Sequence, residues 1–332
     1  MSFMNAKMQL IPYLFADAVF SQLDSKTFRR AGYDPEFKEF AKSIWRSAFA
    51  THRNERQDLK VTVNHTMTGD EVSYYISADV GYGIDSIQSI TDNHRLIETN
   101  TFNKWHFCRI FEVYFVQLSN IEHCETISLE KLLEFAKLHS SNRVLQSIMI
   151  AAPLHERVLQ NLNDLQIRMR TLEVRCPPFP GDLDFLLKRS DDSTLEALIP
   201  ATEFFQSRPV ASYLPLLDRF CLTNTGRPRI IYADVHMDSQ CDIDSTVQRV
   251  VDNWKAQPKN HVSIIIFPTF QMDLLEKVTM WMGVTPVVEQ EIDQSTRSTF
   301  DVYNFRLRHQ QENELLKVEL TNGNILFDSE SI

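Results

Sequence analysis

The chain has 332 residues, of which 43% are hydrophobic and 11% aromatic, which is enough for one large or two ordinary domains with a substantial core. The net charge is −10 and the only basic excess lies in residues 1–60, which argues against nucleic acid as the main ligand. No apolar run approaches the roughly 18 residues of a membrane span and the first residues lack a signal-peptide pattern, so we expect a cytoplasmic or nuclear protein without a membrane partner.

The first predicted element is a helix that begins near Pro12. Proline is tolerated in the first turn of a helix, because its missing N–H would have no partner there in any case. Phe15, Val19 and Leu23 then recur at helical spacing, while Phe20 lies off this stripe. A helix that is apolar on more than one side needs more than one packing partner.

A second helix is predicted from Asp34, a suitable N-cap residue, to beyond Trp45, because its apolar residues follow alternating spacings of three and four. The two helices define a predicted module over residues 8–52. Such a short segment buries too little surface to be stable alone, so it must pack on the rest of the chain or on a partner. Periodicity leaves open whether the module is a docking element or the N-terminal cap of a larger domain.

The order of residues in this module resembles an F-box, the helical module that docks a protein onto a Skp-family adaptor of a cullin-RING ubiquitin ligase. The residues that carry the likeness are Leu10-Ile11-Pro12 at the start of the first helix, Val19-Phe20 to Leu23-Asp24 at its end, and Trp45 in the last helix. The chain looks most like the F-box-like proteins of nematodes, with Leu14 where an acidic residue is usual. The resemblance implies that the adaptor contacts Leu10, Ile11, Pro12, Phe15, Val19, Phe20, Leu23 and Trp45.

Residues 55–332 are predicted to form an α/β body. Residues 59–63 and 72–76 alternate between apolar and polar, which predicts an antiparallel hairpin. From residue 108 onward, apolar runs recur about every 25 to 35 residues, a spacing typical of strand-helix repeats. The runs cover residues 110–116, 144–150, 172–174, 195–199, 229–232 and 262–267, and amphipathic helices are predicted at 129–136, 154–165 and 247–254.

Two α/β architectures fit this alternation, since strands joined by helices form parallel units. One is an open solenoid that resembles degenerate leucine-rich repeats, and the other is a closed or doubly wound sheet. We favour the leucine-rich-repeat-like solenoid, because the repeat length suits it and no ligand-binding loop follows any strand. Residues 299–308, 314–320 and 324–327 alternate, which predicts a C-terminal antiparallel meander that caps the last repeat.

Candidate sites for a metal or a cofactor are weak. Asp234, Asp238, Asp242 and Asp244 could bind a hard cation, but we favour a polar loop in which Asp242 or Asp244 caps the next helix. His106, Cys108, His123 and Cys124 lack the spacing of a zinc site. Because the five cysteines are scattered and the eight glycines form no phosphate-binding loop, we expect reduced, mostly buried thiols, no metal and no cofactor.

We expect a substrate receptor without catalytic activity. Its N-terminal module would bind a Skp-family adaptor and so the cullin ligase core, and its body would bind an unidentified target protein. The alternative is an interaction scaffold whose helices pack on its own body. An α/β enzyme ranks last, since no catalytic constellation is found. Aromatic residues that could anchor a partner, if they are not core, are Phe204, Phe205, Tyr213, Trp254, Phe267, Phe270 and Trp281.

Overall fold

A computed structural model describes Val19 and residues 48–52, 57–65, 71–78, 108–117, 125–222, 229–237, 239–258, 261–268, 274–292, 299–309, 314–321 and 324–331. The chain is a mixed α/β protein with two compact units, Met1–Met169 and Arg170–Ile332. Within these ranges, no helix combines the length and the apolar character needed to cross a bilayer.

The first unit contains a mixed sheet in the order β5-β3-β1-β2-β4. Its elements are β1 (Gln57–His65), β2 (Glu71–Ala78), β3 (Cys108–Val116), β4 (Glu125–Ser128), α1 (Leu129–Leu138), β5 (Val144–Ile150) and α2 (Glu156–Asp164). Antiparallel pairing of β1 with β2 confirms the predicted hairpin. β3 lies between β1 and β5 and is parallel to both.

The second unit contains an open sheet in the order β10-β11-β12-β13-β9-β8-β7-β6. The elements are β6 (Arg168–Val174, which begins at the end of the first unit), α3 (Asp182–Ser190), β7 (Ala197–Ile199), α4 (Thr202–Gln206), α5 (Val210–Leu222), β8 (Ile230–Met237), α6 (Gln240–Ala256), β9 (His261–Pro268), α7 (Leu274–Met282), β10 (Val287–Ile292), β11 (Thr299–Arg308), β12 (Glu314–Thr321) and β13 (Asn324–Ser331). β6 to β9 are parallel, and the remaining strands are antiparallel.

The predicted C-terminal meander is present, and its strand β13 pairs antiparallel with β9. The meander has one strand more than the sequence pattern indicates, because β10 was not predicted. Val287, Val288, Glu289 and Gln290 are all exposed, so β10 buries neither face fully and lacks the alternation that marks a half-buried strand.

Several helices begin with a polar side chain that accepts a hydrogen bond from a backbone N–H of the first turn. Ser128 Oγ accepts from Lys131 N (3.4 Å) at α1, and Ser239 Oγ accepts from Asp242 N (3.4 Å) at α6. The cap of α6 is therefore Ser239, and the prediction of Asp242 or Asp244 as the cap is wrong. Asp242 lies in the first turn, where its charge favours the helix dipole.

A common burial pattern repeats along the parallel strands, in which a buried residue is followed by buried residues three and five positions later. The sets are Ile110/Val113/Phe115, Leu145/Ile148/Ile150, Met169/Leu172/Val174 and Leu195/Leu198/Pro200. The first two sets are in register across β3 and β5, where Val113 pairs with Ile148. Leu172 likewise pairs with Leu198 in the second unit. The second and third members of each set are two positions apart, so they point to the same side of the strand.

Candidate interaction surface

The predicted adaptor-binding residues fall almost entirely outside the described ranges. These residues are Leu10, Ile11, Pro12, Phe15, Phe20, Leu23 and Trp45. Val19, the remaining member of the set, is helical and partly buried. The last part of the predicted module, residues 48–52, is helical, and its Ala48 and His52 are buried. Contact of these residues with an adaptor stays a prediction.

The strongest candidate site in the described residues lies on the second unit, on the face of β6, β7 and β8 that points away from the core. On the core-facing side, Leu172, Leu198 and Ile231 are fully buried. Their neighbours along each strand face the other way: Glu173 and Ile199, which pair across β6 and β7, are partly exposed. We call this set of outward-facing side chains on β6, β7 and β8 the open face.

An exposed aromatic residue lies on the open face, where Tyr232 of β8 is 43% exposed. Sequence reasoning did not single out this residue, although a signal existed. Ile231 and Tyr232 are adjacent in a strand and so must point to opposite faces, and burial of Ile231 therefore directs Tyr232 outward. Aromatic residues of this kind commonly contribute to protein interfaces.

A cavity of about 330 Å³ lies at the C-terminal ends of β6 and β7. β7 has only three residues and pairs with β8 through Ala197 and Leu198, whereas β8 continues to Met237. After β7, the chain leaves the sheet and α4 packs beside β8. The cavity is lined by Glu173, Val174, Arg175, Ile199, Pro200, Ala201, Thr202 and Tyr232.

Two ion pairs lie at β6 and just after it. Arg175 Nε donates to Glu173 Oε1 at 2.5 Å, at the cavity rim. Arg170 Nη1 lies 3.9 Å from Glu196 Oε1. Because the side chain of Arg175 is 58% exposed and that of Glu173 only 18%, the carboxylate holds the base of a guanidinium that faces solvent.

Arg229 directly precedes β8 and is hydrogen-bonded to the segment just before β7. Its guanidinium is fully buried and donates to the carbonyl oxygens of Leu195 (2.9 Å), Phe220 (3.1 Å) and Ser190 (2.8 Å). Ser190 and Phe220 lie in the last turns of α3 and α5, where carbonyls lack helical partners and the dipole favours a cation. Burial lowers the pKa of Arg229 to about 10, so the side chain is still charged at neutral pH.

A second buried charge in the second unit is that of Asp182, at the start of α3. Asp182, only 3% exposed, accepts from the backbone N–H groups of Phe179 (3.1 Å) and Leu183 (2.5 Å), and from Arg208. Arg208 also donates to Phe204 O (2.9 Å), and its guanidinium lies 4.2 Å from the centroid of the Phe204 ring. This pair connects the start of α3 to the chain after α4.

The first unit carries a smaller polar cluster on its own sheet. Lys60 Nζ lies 2.6 Å from Glu112 Oε1 and 4.1 Å from the centre of the Tyr114 ring. Ser147 Oγ donates to Glu112 Oε2 (3.1 Å). These contacts join β1, β3 and β5, so we treat the cluster as structural.

The other sequence candidates do not form a site in the described residues. Phe204, Phe205, Tyr213 and Trp254 are core residues, each at most 1% exposed, while Trp281 is partly buried. The Phe267 side chain and the whole of Phe270 lie outside the described part of the structure. Of the considered metal ligands, Asp238, His106, His123 and Cys124 also lie outside it, as do the side chains of Asp234 and Cys108. Within the described part of the chain, no group of three or more His, Cys, Asp or Glu could hold a metal ion.

The described cysteines are free thiols, and two of them are part of the core. Burial raises the pKa of Cys176 to about 11 and that of Cys221 to about 12, so both are protonated at neutral pH. Cys241 is exposed on the first turn of α6. The expectation of buried thiols is confirmed for Cys176 and Cys221.

Comparison with protein families, with curated proteins and with solved structures finds no match to this chain in any of the three.

Proposed function

We propose that this chain is a non-enzymatic substrate receptor of a cullin-RING ubiquitin ligase. In this proposal residues 8–52 bind a Skp-family adaptor through the eight residues named above, and the body from residue 55 holds a target protein. The receptor contributes proximity between target and ligase and makes or breaks no bond itself.

The observation that carries the proposal is the open face of β6, β7 and β8. A sheet that buries one face and exposes charged and aromatic side chains on the other offers a broad surface for a protein partner. β6 to β9 follow one another in space in chain order, and each connection between them contains a helix. Because such connections are right-handed in nearly all proteins, helices joined in this way collect on one side and leave the other uncovered.

The burial pattern supports a leucine-rich-repeat-like solenoid as the form of the body. Buried residues at the first, fourth and sixth positions follow the apolar spacing of a leucine-rich repeat, Leu-x-x-Leu-x-Leu. Solenoids of this class bind proteins through extended surfaces along their repeats. The rival proposal, a scaffold whose N-terminal helices pack on its own body, uses the same open face but needs no adaptor.

Adaptor binding separates the two proposals. The full chain is co-expressed with a Skp-family adaptor and purified through a tag on the chain, and the Phe20→Asp and Leu23→Asp variants are tested in parallel. We expect the wild type to retain the adaptor and both variants to lose it, because a charge buried at an apolar contact costs several kcal/mol.

Leu138→Asp is the matched control, since Leu138 is 62% exposed at the end of α1, outside the proposed module. It should retain the adaptor as the wild type does. Adaptor recovery that is equal in Leu23→Asp and Leu138→Asp would contradict the receptor proposal and favour the scaffold.

A further inference from the structure

β10 (Val287–Ile292) is the outermost strand of the sheet in the second unit. It pairs with β11 over all six of its residues without a bulge, and the described part of the chain places no strand along its other side, which we call the outer edge. The main-chain N–H and C=O groups of such an edge can pair with a further strand. β10 contains neither the proline, nor the lysine, nor the bulge that commonly protects an edge strand from this pairing.

The first half of β10 is apolar on both faces of the sheet. Val287 is 56% exposed and Val288 is 53% exposed. Because successive residues of a strand point to opposite faces, a valine borders the outer edge on each face. The next two residues, Glu289 and Gln290, are polar and exposed. A strand that pairs with this edge therefore meets two apolar positions followed by two polar ones.

The charge beside the polar half of β10 is negative. Glu289 Oε2 accepts a hydrogen bond from Asn304 Nδ2 (3.2 Å), and Asp301 Oδ1 accepts one from Gln290 Nε2 (3.3 Å). Both donors are neutral amides, and the described residues form no ion pair with either acid, so the two negative charges are not balanced locally. A carboxylate has about four acceptor sites, so each can still accept from a cation. The two acids lie on opposite faces, since Glu289 pairs with the neighbour of Asp301 on β11.

We infer that the outer edge of β10 binds an extended segment of another protein in which two basic residues precede two β-branched apolar residues. The segment adds to the sheet as an antiparallel strand, the orientation that β10 to β13 already share. Its apolar residues lie opposite Val287 and Val288, and its basic residues lie opposite Glu289 and Gln290. The inference goes beyond the receptor proposal, because it requires neither an adaptor nor the open face.

A second copy of this chain suits the same edge less well. When two β10 strands pair antiparallel about a two-fold axis, the faces of the joined sheet match only if odd-numbered residues meet odd-numbered ones. In both registers of this kind that pair five residues of Val287–Ile292, Glu289 lies opposite either Glu289 or Glu291 of the other copy. Like charges directly opposite each other destabilise a sheet, whereas a lysine opposite Glu289 stabilises it.

Peptide binding to the full chain is measured by fluorescence anisotropy. A salt concentration of about 0.15 M screens the general attraction between a basic peptide and the acidic chain. The probes are fluorescein-labelled Ser-Lys-Lys-Val-Val-Ser, its charge-reversed form Ser-Glu-Glu-Val-Val-Ser, and Ser-Lys-Lys-Gly-Gly-Ser, which lacks the apolar residues. We expect saturable binding of the first probe with Kd below about 1 mM, and binding of the other two that is about fivefold or more weaker.

Methylation of main-chain nitrogens tests whether the probe binds as a strand. Successive N–H groups of a strand point to opposite sides, so only every second N–H of the probe can donate to β10. One methylated probe carries the groups on the first lysine and the first valine, and the other carries them on the second lysine and the second valine. One of the two should lose about tenfold or more in affinity, and the other should stay within about threefold of the unmodified probe.

Charge reversal on the chain locates the bound probe. Glu289→Lys should weaken the Lys-Lys-Val-Val probe by about fivefold or more and strengthen the Glu-Glu-Val-Val probe, because the pair opposite residue 289 changes from attractive to repulsive and the reverse. Glu134→Lys is the matched control, since Glu134 is an exposed glutamate on α1 in the first unit. This variant should bind both probes as the wild type does.

Absence of saturable binding by the Lys-Lys-Val-Val probe, equal binding by Glu289→Lys and Glu134→Lys, or equal affinity of the two methylated probes would overturn the inference. A wild-type dimer in sedimentation velocity that becomes monomeric in Val288→Lys would assign the outer edge to a second copy and overturn it as well. Adaptor co-purification reports on the receptor proposal separately. Glu289→Lys should retain the adaptor at the wild-type level, since residue 289 lies outside residues 8–52.

Discussion

Replacing Arg229 by methionine should strongly destabilise the second unit. The guanidinium is fully buried, and it donates to three main-chain carbonyls that lie at the end of α3, the end of α5 and just before β7. Methionine has a similar length and an apolar stem, so it fills much of the space without supplying a donor. The change therefore tests the hydrogen bonds more than the packing.

The magnitude follows from two opposing effects. Leaving a buried acceptor without its donor costs about 1 to 3 kcal/mol, so three such carbonyls cost roughly 3 to 9 kcal/mol before any relaxation. Removing the buried charge recovers part of this, because the desolvation penalty of a buried ion amounts to several kcal/mol. We expect a net loss of about 3 to 5 kcal/mol in the free energy of unfolding, at the upper end of single-residue effects.

Urea unfolding followed by tryptophan fluorescence measures this loss, since Trp254 is 1% exposed in the second unit and reports its unfolding. Arg219→Met is the control, because the exposed Arg219 should change stability by less than about 0.5 kcal/mol. If Arg229→Met unfolds within about 1 kcal/mol of the control, the three hydrogen bonds do not stabilise the fold as argued.

Two further predictions concern buried polar groups. Asp182→Asn should lower the free energy of unfolding by about 2 to 4 kcal/mol, because it leaves the mostly buried Arg208 without its carboxylate. The control Asp191→Asn, at an exposed site, should change the free energy of unfolding by less than about 0.5 kcal/mol. Equal urea midpoints for the two variants would contradict this prediction. His139, whose pKa is lowered to about 4 by burial and by the charge of Arg109, should make stability fall as the pH drops from about 6.5 towards 4, because the unfolded chain binds the proton that the folded chain does not. A His139→Gln variant should therefore show a shallower loss of stability between pH 6.5 and 4, and a slope equal to that of the wild type would show that this residue does not contribute.

The sequence was sufficient to predict most strands of the body, because their signal is local. Residues 144–150 form a continuous apolar-rich run, and β5 covers the same residues. The helix after β8 was found from the spacing of Val247, Val250 and Trp254, all of which are buried in α6. The repeating burial pattern was not found from the sequence, because Met169 and Pro200 occupy positions that a leucine consensus assigns to leucine.

The candidate site could not be predicted, because it depends on which residues of neighbouring strands pair across the sheet. Glu173 and Ile199 are far apart in sequence and become neighbours only through the register of β6 and β7. The cavity lies where β7 ends, and strand ends are among the least reliable features of a sequence pattern. Nor does any local signal mark Arg229 as buried, since arginine is among the residue types least often fully buried.

The shortness of β7 also has a consequence for motion within the second unit. β8 pairs with β9 over eight residues but with β7 over only two, so the ladder on one side of β8 is held by few main-chain hydrogen bonds. Local opening costs least where few such bonds must break, so the amides of β7 should exchange with solvent faster than those of β9.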